Sequence, residues 1–476
     1  MALLSAPGCG SEAPESSFAP RTASPATSAD QADGGGVDPG TGPGEMFVGD
    51  LQDASPAPTT KACTNLQCKQ VACTGAAHTT VSGQIFDPAG KNPLYNVVVY
   101  VPNSTPKPFT DRSTCEKCSG LYTGDPIVTT LTGPDGKFTL TDVPVGKDIP
   151  IVLQIGKWRR QITLPNVASC VDTPVTDKNL TRLPRNRAEG DLPKIAISTG
   201  GADSMECLLK RVGVDSAEFT SGTGAERIHI FQGTEGKTVA GGSPTSASTL
   251  WPSATALEAF DMVVLSCEGA EYGETKPDAS LQALLQYANA GGRIFASHFH
   301  YYWFNHGPAP LPSTATWTPG GNDIGTIRGT IDQTFPKGVA FAQWMKNTSA
   351  LAADGTVRIE EARHNANVDV AANKGSQPWI TNADPAVPAT QYFTFNTPLE
   401  AAPDAQCGRV VYSDLHVGAA SKDYKAGITT VPEGCTDADL TPQEKALEFM
   451  LFDLSSCVTP DSVPPTPPPP PAAPPK

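Results

Sequence analysis

The pattern of apolar residues changes once along the chain, and this change constrains the fold more than any other feature. Between residues 78 and 165, short apolar or alternating segments recur between turn sequences such as Gly-Pro-Asp-Gly at 133–136, without helical periodicity. This spacing predicts an all-β domain, an antiparallel β-sandwich, over residues 61–185. Over residues 191–458, short apolar segments alternate with helical patterns. That alternation predicts an α/β domain in which helices flank a parallel sheet.

Four apolar segments and three helix starts outline the second domain. The predicted strands are residues 194–198, 261–265, 293–296 and 409–412. Ser204 and Ser280 stand where a side-chain oxygen can cap the first turn of a helix. Thr441 and Glu444 flank Pro442 in a capping box, which predicts the start of a final helix.

Both ends of the chain have the composition of segments that do not fold. Residues 10–60 consist mostly of Ser, Ala, Pro, Gly, Thr and Asp and cannot bury enough apolar surface. Residues 459–476 are rich in proline, which predicts a disordered or polyproline tail. The first residues, MALLSAPGC, resemble the end of a bacterial lipoprotein signal peptide, with Cys9 as the lipid-bearing residue. Residues 1–60 would then be a signal remnant and a disordered linker; the alternative is that Cys9 is a stray cysteine.

The acidic balance of the chain limits its partners. The 476 residues carry a formal net charge of −15 and give a sequence pI of about 4.9. Phosphate binding needs a basic surface, so a nucleic-acid partner is not expected. The sequence has no apolar run of about 18 residues, so membrane contact is expected only through a lipid anchor. We therefore expect an exported cell-envelope protein, an outer-membrane or surface lipoprotein.

The twelve cysteines indicate an oxidising compartment. If Cys9 is lipidated, six of the remaining eleven lie in the first domain and five in the second. Structural disulfides are expected, with a connectivity that the sequence leaves open. Because five is odd, the second domain should keep one free thiol, and Cys267, beside a buried strand, is the expected one.

Three segments of the first domain carry a family resemblance. They read VSGQIFD at 81–87, PLYNVVVYV at 93–101 and TGPDGKFTLTDVPVG at 132–146. In this order they resemble the carboxypeptidase regulatory-like domain, a transthyretin-like or prealbumin-like β-sandwich. The resemblance implies an accessory module without catalytic residues of its own. The insertion at 102–123, which contains two cysteines, departs from the short loop usual in that family.

Three segments of the second domain carry another resemblance. They are the strand followed by Gly-Gly at 195–201, AGGRIFASH at 290–298 and GRVVYSDLH at 408–416. They resemble the class I glutamine-amidotransferase-like superfamily and, within it, the ThuA-like branch. This resemblance implies a flavodoxin-like parallel sheet and a carbohydrate-related ligand, whereas residues 303–402 match the pattern poorly. The pairing of both domains resembles predicted bacterial lipoproteins.

Polar residues follow three of the predicted strands at their carboxyl ends, where ligands bind in open parallel sheets. These candidate site residues are Cys267 and Glu268, His298 and His300, and Asp414 and His416. One chemistry they could support is hydrolysis of an amide or a carbohydrate-related substrate. Cys267 would be the nucleophile. Either His298 or His416 would be the base, and either Glu268 or Asp414 would orient that base. The resemblance opposes this function, because amidotransferases place their cysteine in a Gly-x-Cys-x-Gly elbow and His298 stands at that position here.

A metal site and a binding cleft are the other two possibilities. His298, His300 and His416 are candidate ligands of a Zn²⁺-like ion, with Glu268 beside them. No cofactor is expected, since neither His-Glu-x-x-His nor His-x-x-Glu occurs in the chain. The aromatic run after His298 favours a carbohydrate-like or other small ligand, unless these aromatic residues pack in the core. The residues expected to bind it are His298, His300, Tyr301, Trp303 and Glu268. We expect binding more than catalysis, and a structural or adhesion role is the remaining alternative.

Overall fold

The chain forms two kinds of sheet, as the change in its apolar pattern predicts. The computed structural model describes residues 63–417 and 430–469, which belong to one compact unit from Thr60 to Lys476. Residues 1–60, with the predicted lipid attachment at Cys9, lie outside the described residues. The described part combines α and β structure, with antiparallel and mixed sheets.

Strands between residues 80 and 175 form a four-stranded and a three-stranded sheet. They are β1 (Thr80–Gln84), β2 (Val98–Pro102), β3 (Pro126–Leu131), β4 (Lys137–Thr141), β5 (Gly146–Ile155), β6 (Trp158–Val167) and β7 (Asp172–Val175). The order β3-β2-β5-β6 is antiparallel throughout, and in β4-β1-β7 the strands β1 and β7 run parallel. Exposed and buried residues alternate along β4, so Phe138 and Leu140 face the core between the sheets.

The hairpin between β5 and β6 depends on Gly156. Ile155 pairs with Trp158, so the loop has two residues, and Gly156 adopts a φ of +56°. A Cβ at this position would lie 1.8 Å from the backbone oxygen of Ser455 in the last helix. Only glycine meets both requirements. The tip of the hairpin therefore lies directly against the second part of the molecule.

A ten-stranded mixed sheet forms the second part. Its parallel strands are β8 (Ile195–Thr199), β9 (Phe219–Ser221), β10 (Ile228–Gln232), β11 (Met262–Leu265), β12 (Arg293–Ser297) and β19 (Gly408–Ser413). Its antiparallel strands are β14 (Asp323–Ile331), β15 (Val357–Arg363), β17 (Ser376–Asn382) and β18 (Thr390–Thr397); β13 (Thr316–Trp317) and β16 (Ala366–Asn367) pair separately. The order is β9-β10-β8-β11-β12-β19-β18-β17-β14-β15. The four predicted strands are confirmed as β8, β11, β12 and β19, whereas the antiparallel extension was not predicted.

Helices cover both faces of this sheet, because side chains alternate between the faces along each strand. The helices within the described residues are α1 (Cys118–Leu121), α2 (Lys178–Thr181), α3 (Met205–Arg211), α4 (Ala254–Glu258), α5 (Asp278–Asn289), α6 (Tyr302–Asn305), α7 (Pro336–Asn347) and α8 (Pro442–Ser455). Short 3-10 helices lie at Asn65–Lys69, Ser216–Glu218, Ala247–Thr249, Gly273–Thr275, His298–Tyr301 and Leu311–Thr314. One apolar cluster joins α3, α7 and α8 to one sheet face and to the sandwich, and another joins α4, α5 and α6 to the opposite face.

The three predicted helix starts have different outcomes. The capping box of α8 is confirmed, since Thr441 accepts from the amide of Glu444 and its own amide donates back to the Glu444 carboxylate at 2.7 Å. Ser204 stands at the N-cap of α3, although its side chain makes no capping bond. The prediction that Ser280 caps a helix is wrong, because the extended Pro277 is the N-cap of α5, three residues earlier.

Five disulfides connect the described cysteines. They are Cys63–Cys68, Cys73–Cys170, Cys115–Cys407, Cys118–Cys457 and Cys207–Cys435. Two of them join the insertion at 102–123 to the second part. Among the described residues Cys267 is the free cysteine, as predicted. This disulfide content indicates an exported protein in an oxidising compartment. None of the described helices has the length and apolarity that a membrane span needs.

The predicted start of the disordered tail, at residue 459, needs correction. The side chain of Asp461 is 8% exposed, and its carboxylate lies 2.7 Å from Arg409 and 3.4 Å from Lys337. Asn396 donates to the backbone oxygen of Thr459 at 3.1 Å. Proline composition predicts disorder here, but one buried carboxylate between two cations holds the segment against the sheet.

Candidate functional site

Three adjacent parallel strands end at the same edge of the large sheet. Cys267 lies two residues after β11, His298 directly follows β12, and His416 lies three residues after β19. Because β12 lies between β11 and β19, their carboxyl ends bring these side chains together. We call Cys267, His298 and His416 the thiol corner.

The thiol corner is compact and almost without solvent contact. Its members are 0%, 2% and 3% exposed, in chain order. The sulfur of Cys267 lies 3.2 Å from Nδ1 of His298. The rings of His298 and His416 are nearly perpendicular, with centroids 5.1 Å apart. The sulfur of Cys267 and one ring nitrogen from each histidine all lie within 4.8 Å of one another.

The backbone at His298 turns sharply. Its φ is +40°, a left-handed conformation that is uncommon for a residue other than glycine and that is often found at functional sites. The chain passes here from β12 directly into the 3-10 helix His298–Tyr301. The hydroxyl of Tyr412 lies 3.0 Å from the carbonyl oxygen of His298 and 2.7 Å from Oδ1 of Asp414. The elbow is therefore held from the neighbouring strand β19.

Burial keeps the thiol corner uncharged at neutral pH. It raises the pKa of the Cys267 thiol to about 12. It also lowers the pKa of His298 to about 2, with repulsion from His416 and Arg363 adding to the effect. For His416, burial and then the charge of Arg363 lower the pKa to about 4. Each side chain is thus a neutral thiol or imidazole rather than an ion pair.

Several polar atoms around the thiol corner lack partners. Nε2 of His298, Nδ1 of His416 and Oδ1 of Asn365 are buried and have no hydrogen-bond partner among the described residues. Asn365 is otherwise well anchored. Its amide nitrogen Nδ2 donates to the carbonyls of Thr318 and Gly320 at 2.9 and 2.6 Å. Arg363 and Asn365 come from the segment that matched no family pattern, so sequence reasoning missed them.

Asp414 lies beside the thiol corner, but its carboxylate is hydrogen-bonded within the protein and is not free to bind a ligand. Both of its carboxylate oxygens have partners, the Tyr412 hydroxyl at 2.7 Å and the backbone amide of Asn365 at 3.1 Å. Burial raises its pKa to about 7. Asp414 thus connects β19 to the segment that carries Asn365.

The residues next to Cys267 and His298 in sequence form a separate group. We call Glu268, Lys276 and His300 the lysine corner. Lys276 donates to Glu268 at 2.7 Å, and both side chains are almost fully buried. The second Glu268 oxygen accepts from the backbone amide of Thr234 at 2.8 Å. Burial raises the pKa of Glu268, but its electrostatic interactions with His300 and Lys276 hold that pKa below its ordinary value.

His300 uses both ring nitrogens within the protein. Nε2 lies 2.8 Å from the carbonyl oxygen of Ser266, and Nδ1 accepts from the indole N–H of Trp303 at 2.9 Å. These bonds define a neutral ring, and burial lowers its pKa to about 4. Tyr301 and Trp303 are both 0% exposed. Of the residues expected to bind a ligand, these two offer no free face, and His300 and Glu268 already have partners.

Comparisons with known proteins do not identify a family. No family model and no curated protein matches the chain. Among solved structures, it is similar to a type II cohesin–X-dockerin complex from Acetivibrio cellulolyticus, with 18% identity over 31% of this chain and 78% of that chain and a TM-score of 0.15. A 9R-lipoxygenase from Cyanothece PCC8801 gives 16% identity over 23% and 19%, with a TM-score of 0.12. These scores are too low to bear on the fold or the function.

Proposed function

We propose that this is an exported cell-envelope protein whose α/β part binds a small ligand at the carboxyl ends of β11, β12 and β19. In this proposal a carboxypeptidase regulatory-like sandwich supports a ThuA-like domain, and a lipid on Cys9 attaches the chain to a membrane surface. The two-sheet arrangement of β1 to β7 is compatible with the first resemblance. The order β10-β8-β11-β12-β19 supports the second, since numbered along the chain it reads 2-1-3-4-5, the flavodoxin-like order.

The identity of the residue at the turn after β12 favours binding over catalysis. The strand-to-helix turn after β12 is where a nucleophile would stand, and it presents His298 instead. Cys267 lies on the neighbouring strand end and is 0% exposed, so its sulfur cannot meet an acyl carbon of a substrate. This geometry favours a ligand held by the thiol corner over a covalent intermediate.

Burial of the aromatic residues narrows the expected ligand class. A sugar bound by stacking needs an aromatic face in contact with solvent. Tyr301 stacks on Trp317 and Trp303 packs against Trp251, with ring centroids 6.2 and 5.2 Å apart. A ligand smaller than a sugar therefore fits the thiol corner better.

Two measurements on the full chain with intact disulfides test this proposal. Iodoacetamide, followed by peptide mapping, should alkylate Cys267 at least about 100-fold more slowly in the native protein than in guanidinium, because the sulfur is buried. Hydrolysis of glutamine and of p-nitrophenyl acetate should be equal in wild type and Cys267→Ser. Rapid native alkylation together with activity that Cys267→Ser abolishes would establish the alternative, a thiol hydrolase.

The binding half of the proposal needs its own measurement. A small ligand of the thiol corner should raise the Tm of the wild-type protein by mass action and leave His416→Gln unaffected. Neutral mono- and disaccharides and divalent metal ions are the two panels to compare. If no member of either panel changes the Tm, the proposal of a small-ligand site is wrong.

A further inference from the structure

We propose that the ligand of the thiol corner is a divalent transition-metal ion of the zinc class, bound by Cys267, His298 and His416. This inference rests on the proposed function and names its ligand. Neither sequence motif nor comparison assigns the site, and the metal candidates expected from sequence were three histidines without the cysteine.

The spacing of the donor atoms suits such an ion. Zinc lies about 2.3 Å from sulfur and about 2.0–2.1 Å from nitrogen, so donors around a tetrahedral zinc are about 3.3–3.6 Å apart. The Cys267 sulfur and Nδ1 of His298 are 3.2 Å apart. All three donors fall within 4.8 Å of one another. Small side-chain adjustments, mainly of His416, would therefore close the site.

The other buried histidines show that the thiol corner is unusual within this molecule. Both ring nitrogens of His300 have partners, and those of His229 lie 3.0 and 2.9 Å from backbone carbonyl oxygens. His298 and His416 are equally buried, yet each leaves one ring nitrogen without a hydrogen-bond partner among the described residues. An unpaired buried polar atom is costly unless something binds it. A metal ion bound through Nδ1 of His298 would not occupy the unpaired Nε2, but it would fix the ring in the form that carries its proton on Nε2.

The donor chemistry selects the class of metal. One sulfur and two imidazole nitrogens suit zinc or copper and do not suit calcium or magnesium, which prefer oxygen ligands. Three protein ligands leave the fourth position of a tetrahedral ion open to water or to another small ligand. Binding would replace the thiol proton of Cys267 by the metal and release that proton to solvent.

A second layer of residues is placed to orient the histidines. If Nδ1 of His298 binds the metal, Nε2 carries the proton and needs an acceptor. Oδ1 of Asn365, which is buried and has no hydrogen-bond partner among the described residues, would supply one. Metal-bound imidazoles commonly donate in this way to a neighbouring oxygen. Two unpaired atoms would thus pair when the metal binds.

The decisive experiment uses purified full chain, stripped with a chelator and reloaded with Zn²⁺ or Co²⁺. We expect about one bound ion per chain and, with Co²⁺, a thiolate-to-metal charge-transfer band from Cys267, which is the free thiol among the described cysteines. In Cys267→Ser the band should disappear and the affinity should fall at least about tenfold. His300→Gln is the matched buried control, because its amide can keep both hydrogen bonds of His300, and it should retain ion and band.

Each other outcome overturns the inference. Less than about 0.1 ion per chain, or one ion without the charge-transfer band, would mean that the thiol corner is a packed core or that the ion is elsewhere. Binding that survives in Cys267→Ser would point to surface imidazoles such as that of His306. Should the variant fail to fold, the wild-type cobalt spectrum decides alone. A saccharide that shifts the Tm through His416 would keep the proposed function and refute the metal.

Discussion

The thiol corner and the lysine corner start from neighbouring residues and end in opposite states. Cys267 precedes Glu268, and His298 lies two residues before His300. In the lysine corner the charges are paired and both nitrogens of the imidazole are bonded within the protein. In the thiol corner the groups are neutral and two ring nitrogens lack a partner. The comparison separates polar groups that stabilise the fold from groups that await a ligand.

Among the variants that test this difference, Lys276→Met should have the largest effect on the free energy of unfolding. It leaves the buried Glu268 carboxylate without its cation, and losing one member of a buried ion pair costs about 3–5 kcal/mol. The free energy of unfolding from guanidinium titration should fall by that amount. Adding Glu268→Gln should restore part of the loss, whereas Lys91→Met, which breaks an exposed pair with Asp439, should cost less than about 1 kcal/mol. A loss below about 1 kcal/mol for Lys276→Met would mean that the lysine corner is not structural.

A second prediction concerns Asp203, which braces the thiol corner. Its carboxylate accepts from the Ser297 hydroxyl and from the backbone amide of Val417 at 2.8 Å, the residues adjacent to His298 and His416. Burial raises its pKa from 3.8 to about 7, and these hydrogen bonds only partly oppose the shift. Since the folded pKa is the higher one, the stabilising contribution of this group is complete below about pH 4 and is lost as pH rises to about 7.

Asp203→Asn should remove that pH dependence, because the amide reproduces the hydrogen bonds of the protonated acid. Variant and wild type should have similar free energies of unfolding at pH 4, and the variant should be more stable by about 2–4 kcal/mol at pH 8. Chemical denaturation at both pH values checks this. A constant difference across the pH range would show that Asp203 is ionised throughout.

The smallest expected effect is that of Cys267→Ala in the metal-free protein. The thiol is neutral and lies 3.2 Å from Nδ1 of His298, so its removal should cost about 1 kcal/mol or less. Trp303→Phe, its counterpart in the lysine corner, should cost about 2 kcal/mol because Nδ1 of His300 loses its donor. Thermal unfolding of both variants after chelation checks the ranking. The reverse order would mean that the thiol corner contributes more to the fold than the lysine corner.

Local patterns predicted the elements better than the site. Short apolar runs were sufficient to locate β8, β11, β12 and β19, and the capping box located α8, because such signals depend on adjacent residues. The antiparallel extension was missed because its strands are stabilised by pairing to β19 and to each other. The second domain has five cysteines, and this odd count correctly predicted one free thiol. The prediction holds because two bridges, an even number, join the second domain to the first.

The arrangement of the histidines could not be predicted from spacing. On a strand, residues two apart share a face, which placed His298 and His300 together. The chain instead enters a 3-10 helix at His298, where residues two apart lie on different sides. His298 therefore meets His416 and Cys267, and His300 turns towards Ser266. Where the strand ends decides which histidine belongs to the site.

The bridge between Cys118 and Cys457 has a mechanical consequence. A pull applied to the chain before the first of these residues and after the second would run through the sulfur–sulfur bond and bypass the large sheet. The bridge spans 339 residues of sequence. At about 3.3 Å for each extended residue, roughly 1,100 Å of chain could not be drawn out while the bond holds. Under tension the residues between these two cysteines, which include the thiol corner, would be shielded from the load.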